Sequence, residues 1–442
     1  MKAAARRFAL TDLPLVILAA GAASTCTLDL QGTGGRSREG GTRSDGDGDG
    51  GSGGDGGVDG LPNGMLTRWA AGAPAQPGIY ELPRWLTLES PTPEKTVQIG
   101  ESAIVSGIPA DVPRARRTGE DRPWGLSLEG ARENRIPLST PGQRPWRVIY
   151  DASLAEARGP DGEMSAGRVS DEDTEQASAA YVPVDRSDGS TSTISGWVGD
   201  IDGEKGDFAW IRAFAFDDAA QADARTKVLA PARAWRRIDF TGVETDRAGQ
   251  IWLYPAAGEA PRLSAASFAF LNLESARYPS SAIPTTGNAR RREADVLYAN
   301  NAEWLIWKGW FKALIELAPN YASGEQLADH DLLYIDPGNR VFLRASDGAL
   351  VMTATGARGA ATLATEGLSW EREQAFLVEL SSSPAGLSLQ VTLDGEQEIS
   401  VDAPAAVGAI SVPESGRIHI LGDPGGSQEC ADLRRVEFYE VH

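Results

Sequence analysis

Along most of this chain the apolar side chains recur at every second position. Phe208, Trp210, Arg212, Phe214 and Phe216 share one parity, and Ala209, Ile211, Ala213 and Ala215 share the other. Successive strand side chains point to opposite faces, so this run reads as a strand. Both parities are largely apolar, which predicts an inner strand covered on both sides. From Gly309 to Leu317 the alternation is cleaner, with Phe311, Ala313, Ile315 and Leu317 on one side and Lys312 and Glu316 on the other, predicting a half-buried strand. Leu387, Leu389, Val391 and Leu393 turn inward in the same way, and a turn at Asp394-Gly395-Glu396 leads into Glu398–Val401.

Gly, Pro, Asn and Asp punctuate these runs. Ala179–Val184, Thr191–Val198, Trp235–Gly242, Gln250–Tyr254 and Ser267–Leu273 read as strands before Pro284. After it come 331–335, 340–344, 350–354, 375–380 and 433–441, divided by turns such as Pro337-Gly338-Asn339. The pattern predicts an all-β protein of two antiparallel β-sandwich, jelly-roll-type domains in tandem. The division falls at 280–297: Pro284 forces an extended Ile283, Thr285-Thr286-Gly287 supplies a turn, and Arg290 to Arg292 are read as keeping the crossing solvated. Such a segment is expected to connect rather than pack. The expected domains are 65–279, with an irregular Pro-rich N-terminal part covering an edge, and 298–442.

The crossing also carries a resemblance. Ser281, Ile283, Pro284, Thr285, Thr286, Gly287, Arg292, Ala294, Asp295, Val296 and Leu297 fit the linker of phage tail-fibre and related surface proteins, in which a carbohydrate-binding-module-like jelly roll precedes a concanavalin A-like, laminin-G-like sandwich. Ala282 stands where that pattern has Tyr, and Arg290 where it has an apolar residue. Gly125 to Asn134 resembles the segment that opens the jelly roll in those proteins. Ile418, Ile420, Gly422, Val436, Phe438 and Tyr439 resemble the closing strands of laminin-G-like sandwiches. The resemblance implies a carbohydrate or surface partner and is compatible with calcium, but it supplies no ligand set.

Composition narrows the partners. A net charge of −20 argues against nucleic acid or an anionic membrane surface, either of which would repel such a chain. The two cysteines, Cys26 and Cys430, cannot build a disulfide framework. Met1–Arg7 carries Lys2, Arg6 and Arg7, and Leu13–Ala23 is an unbroken run of apolar and small residues. That is a signal-peptide pattern over 1–25, too short to span a bilayer, so export is expected. Ala23-Ser24-Thr25-Cys26 resembles a lipobox, making Cys26 the candidate lipidation site; plain cleavage after Ala22 or Ala23 is the alternative. Residues 26–64 are dominated by Gly, Asp and Ser and cannot offset the entropy of ordering, so a disordered tether to the cell surface is expected. Asp45, Asp47 and Asp49 spell half an EF-hand loop, but position twelve falls on Gly56, and a solvated acidic linker is the better reading.

Candidate chemistry is sparse. Trp197, Trp210, Trp235 and Trp252 could stack on sugars, yet sandwiches bury Trp heavily and core packing is the expectation for each. Trp304, Trp307 and Trp310 form the densest aromatic cluster, with Tyr321 and Tyr334 as neighbours, and these five are the candidate glycan-binding residues, against the alternative that the cluster staples the two domains. A polysaccharide hydrolase on such a sandwich needs two carboxylates roughly 5 Å apart for retaining chemistry; no strand of the second domain spells that arrangement, and Glu172-Asp173-Thr174-Glu175, nearest in spelling, reads as a solvated loop. His330, His419 and His442 show no metal-ligand spacing, and His419 reads as an exposed strand histidine. The expected function is therefore non-catalytic binding of an extracellular glycan. A structural or adhesive surface role is the first alternative, and a polysaccharide-cleaving enzyme the second.

Overall fold

The computed structural model describes residues 65–142, 144–185, 190–205, 207–213, 227–244, 249–255, 263–394, 397–403, 407–426 and 429–441. Cys26, the signal segment, the tether and Phe214–Phe216 lie outside them. The described chain is all-β, and the predicted alternation becomes burial directly. Leu387, Leu389, Val391 and Leu393 are buried while Ser388, Gln390 and Thr392 between them stay half-buried. Phe311, Ala313, Ile315 and Leu317 face the core, with Lys312 and Glu316 turned outward.

Two sandwiches share one compact unit over 58–442, and the described strand pairings are antiparallel. The first has sheets ordered 236–243, 191–202, 264–274, 166–171, 152–157 and 228–229, 208–213, 250–254, 179–183, 147–149. Its core holds Ile136, Val198, Ile211, Leu253 and Phe268. The second has a seven-stranded sheet, ordered 86–89, 296–300, 417–420, 330–336, 339–343, 349–356, 359–367. Facing it is an eight-stranded sheet running from 397–403 through 386–393, 376–383, 311–319, 431–439 and 125–128 to 114–116, with Met65–Ala70 also paired to Ala431–Tyr439.

The expected boundary at residue 65 is therefore corrected. Met65–Ala70, Leu86–Glu89, Arg114–Arg116 and Gly125–Leu128 belong to the second sandwich. Trp69, Leu86, Leu88, Leu126 and Leu128 share its core with Leu297, Ile315 and Phe438. Alternation identifies a strand but not its partner, which here lies at the other end of the chain. The arrangement is nested rather than tandem: the first sandwich, from about residue 135 to 285, is an insert within a host.

The crossing, read as a solvated linker, is packed. Ser280, Ile283, Thr285, Arg292 and Asp295 are buried. Thr285 donates its hydroxyl to Ile136 O at 2.8 Å and accepts from Ser139 N at 2.7 Å, so the Pro-Thr-Thr-Gly turn is part of the insert. Arg290–Arg292 pairs with Arg132–Asn134 in a two-stranded seam. Only Arg291 of the three arginines is exposed.

Arg292 meets Glu129 at 2.8 Å, and Arg114 meets the same carboxylate at 2.6 Å and also Asp295. Asp295 further accepts from Ser90 Oγ and from Glu129 N, the latter at 3.0 Å. Ser281 N donates to Glu129 at 2.6 Å. Burial alone would push Glu129 up, but Arg292 and Arg114 reverse this and hold its carboxyl well below the usual carboxylate range. All four charges are buried, so each is tolerated only because the others remain.

Two further expectations change here. Tyr321, a candidate ligand contact, is fully buried with its hydroxyl 2.7 Å from His330 Nδ1, because its ring packs on Tyr278 and Trp370. His419 is buried rather than exposed, flanked by Tyr298 and Tyr334 with ring centres 5.8 and 6.1 Å away.

Glu129→Gln should lose about 3–5 kcal/mol of unfolding free energy, read by urea titration of tryptophan fluorescence, because it leaves the buried Arg292 without its carboxylate and Arg114 with Asp295 alone. His330 supplies a pH test. Burial pushes its imidazole down to about 4, so between the unfolded value of about 6.5 and 4 the unfolded chain takes up a proton the native state refuses. Stability is lost as pH falls through that window, by about 3 kcal/mol at its lower end. Asp331, pushed up to about 6 by burial, works in the opposite direction. The readout is thus the difference between wild type and His330→Asn, which should shrink steadily from pH 7 to pH 4.

Candidate functional site: an aromatic ladder on the insert

The two sheets of the insert have unlike outer sides. In one sheet the strands Thr191–Asp202 and Ser264–Glu274 are buried along nearly their whole length, and their outer side meets the hairpin 95–108. Ile104 from that hairpin joins Trp197, Ala269 and Phe270 in one cluster. Trp197 is buried in this packing, as expected of a core tryptophan, and Trp235 is half-buried against it. A Cβ at Gly199 would come within 2.7 Å of the Trp235 ring, so the ring and the backbone meet only because residue 199 has no side chain.

The other sheet is different. Ala209, Ile211 and Ala213 fill the core, as do Ile251, Leu253, Ala180 and Val182 from the neighbouring strands. Phe208, Trp210, Arg212, Trp252 and Tyr181 point the opposite way and are half-exposed. The inner-strand reading of Phe208–Phe216 is corrected for its described part: the second parity is aromatic but lies on the outer side of the sheet. The same finding moves Trp210 and Trp252 out of the core.

Strand register builds these side chains into a ladder. Tyr181 stands opposite Trp252, Trp252 opposite Arg212, and Trp210 opposite Tyr254. Tyr181 and Trp252 stack with centroids 5.0 Å apart at 18°, and Trp252 and Tyr254 at 6.0 Å and 17°. Trp210 tilts against Tyr254 at 4.9 Å, and Phe208 meets Trp210 edge-on at 6.0 Å. Offset rings of this kind hold one another in place and leave part of each face open. Gln250 accepts the Trp252 indole N–H at 2.9 Å, whereas the Trp210 indole N–H is shielded from solvent without a partner.

The cluster singled out in the sequence lies on the host. Trp304, on the single-turn helix Ala302–Leu305, is 39% exposed, and Trp307 is 45% exposed, so they do not staple the two sandwiches together. Trp310 is half-buried and closes a tight turn back to Trp307. Trp304 borders a cleft of about 590 Å³ with Asn300, Glu303, Ser415 and Arg417. Arg417 lies 4.1 Å above the Tyr298 ring, which begins the row Tyr298, His419, Tyr334 across three strands. Tyr334 is half-exposed in that row, while Tyr321 is out of reach in the core. Burial and the nearby Arg417 lower the His419 pKa.

Sequence reasoning missed Tyr181 and Tyr254. Each is an ordinary strand aromatic until the pairing places it beside Trp252. Among the described residues no group of three or more His, Cys, Asp or Glu is arranged to hold a metal ion. Cys430 is a buried free thiol.

Neither protein-family models nor curated proteins match the sequence. Among solved structures, the N-terminal CBM22-1-CBM22-2 tandem domain from Paenibacillus barcinonensis Xyn10C aligns with 72% of this chain and 98% of that one, at 10% sequence identity and a TM-score of 0.25. A likeness that slight carries no argument, and the functional reading rests on the site itself.

Proposed function

We propose that the protein is a non-catalytic carbohydrate-binding protein of the cell surface, exported by its N-terminal segment and anchored through a lipid on Cys26. The observation that carries the binding part is the ladder of half-exposed rings Tyr181, Trp252, Trp210 and Phe208, backed by the buried Tyr254. The insert already has a complete core beneath it, so these rings are surplus to its packing. Leaving aromatic area partly in water forgoes about 25 cal/mol per Å², a loss that a ligand with its own apolar face would recover. The C–H face of a pyranose is such a surface, and its rim of hydroxyls suits Gln250 and Arg212. Three adjacent strands carry the ladder, which gives it a breadth of about 10 Å. The exposed Trp304 and Trp307 beside the Arg417 cleft form a second candidate contact on the host.

Binding to a polysaccharide panel, measured by affinity electrophoresis and calorimetry, should fall at least about tenfold in Trp252→Ala and in Trp210→Ala, with far-UV circular dichroism unchanged. Trp304→Ala and Trp307→Ala report separately on the cleft. Silence across the panel together with attachment to whole cells would favour the adhesive role, and release of reducing ends would favour an enzyme. Cys26→Ser should move the protein from the membrane fraction to the soluble fraction and abolish labelling by a fatty-acid analogue; retained labelling would exclude Cys26 as the anchor.

A further inference from the structure

The ladder is bordered by cations. Lys227 Nζ sits 4.4 Å from the Phe208 ring centre and 5.7 Å from that of Trp210. The Arg212 guanidinium is 5.6 Å from the Trp210 ring centre. Arg147 stands opposite Tyr181 in register at the far edge. Arg147 and Lys227 are both exposed.

Among the described residues, the strands that carry the ladder hold no carboxylate. The chain carries 62 acidic residues and a net charge of −20, yet the strands 228–229, 208–213, 250–254, 179–183 and 147–149 contain no Asp or Glu. Every strand of the facing sheet carries at least one: Asp239, Asp200, Glu274, Asp171 and Glu156. The two sheets belong to one sandwich, so the contrast is between faces and not between domains.

Resting on the glycan-binding reading, we infer that the ladder selects an anionic polysaccharide, one whose sugar rings carry carboxylate or sulfate groups. A pyranose lying on Trp210 or Trp252 brings a ring substituent toward Lys227 and Arg212, and a second unit of the chain runs toward Arg147. A negative substituent gains local pairing there and meets no carboxylate from the described strands of the sheet. The overall negative charge opposes approach only over longer distances, and at physiological ionic strength that repulsion is screened beyond about 8 Å. Contact at the ladder is shorter than this, so the local cations decide.

The experiment compares polygalacturonate with its carboxyl-reduced form, and dextran sulfate with dextran, by calorimetry at low and at physiological salt. At least one acidic polymer should bind about fivefold or more tightly than its neutral counterpart, and the advantage should shrink as salt rises. The preferred pair identifies the group as carboxylate or sulfate. Lys227→Gln and Arg147→Gln should each cut the acidic-to-neutral ratio by about two- to fivefold. Trp252→Ala should abolish binding of both members of the pair. Equal affinity for acidic and neutral polymers, with both still dependent on Trp252, overturns the charge selectivity and leaves glycan binding standing. An acidic preference that survives both substitutions places the selectivity elsewhere and also overturns the inference. Indifference of all binding to Trp252 overturns both the charge selectivity and the ladder as the binding site.

Discussion

Two guanidinium groups and two carboxylates closed off from water tie this molecule together. Arg114 and Glu129 come from the chain before the insert, and Arg292 and Asp295 from the chain after it. Removing four charges from solvent is costly, and the cost is met only when all four arrive together with the hydroxyls of Ser90 and Ser281. The network thus acts as a coincidence requirement: both halves of the host must be in register at the same place. Arg372, reaching from the host to Asp239 of the insert at 2.8 Å, adds a tie of lesser burial.

With the host fixed in that way, the insert's two sheets meet different surroundings. The hairpin 95–108, part of the host-side segment, packs Ile104 against Trp197 and Phe270 on the outer side of one sheet. The other sheet keeps its outer side half-exposed, and there the same period-two pattern carries rings and cations. Covered and uncovered faces in one sandwich account for tryptophans with opposite fates, Trp197 within the packing and Trp252 on the ladder.

How much of this the sequence discloses depends on the range of the interaction. The strand Leu387–Leu393 and its turn are legible because the alternation and the turn residues are all local. Ala209 and Ile211 are legibly of one parity, but when the other parity is Phe208 and Trp210 the pattern cannot say which side meets water. Nesting is not legible, because nothing near Met65–Ala70 announces a partner at Ala431–Tyr439. Arg292 reads as solvated for the same reason: its counter-charge, Glu129, is far away in the chain. Of the aromatic residues picked as ligand contacts, Trp304 and Trp307 are exposed, whereas Tyr321 shows that closeness in sequence to such a cluster does not decide burial.

The seam between Arg132–Asn134 and Arg290–Arg292 carries a different kind of consequence. Because the chain leaves the host and re-enters it on paired antiparallel strands, its two passages lie about 5 Å apart, the spacing that an ordinary hairpin turn bridges. The host sheets therefore neither stretch nor shift to accommodate what is mounted between those strands. What lies between those two strands can change in length without altering the spacing at which the chain leaves and re-enters the host.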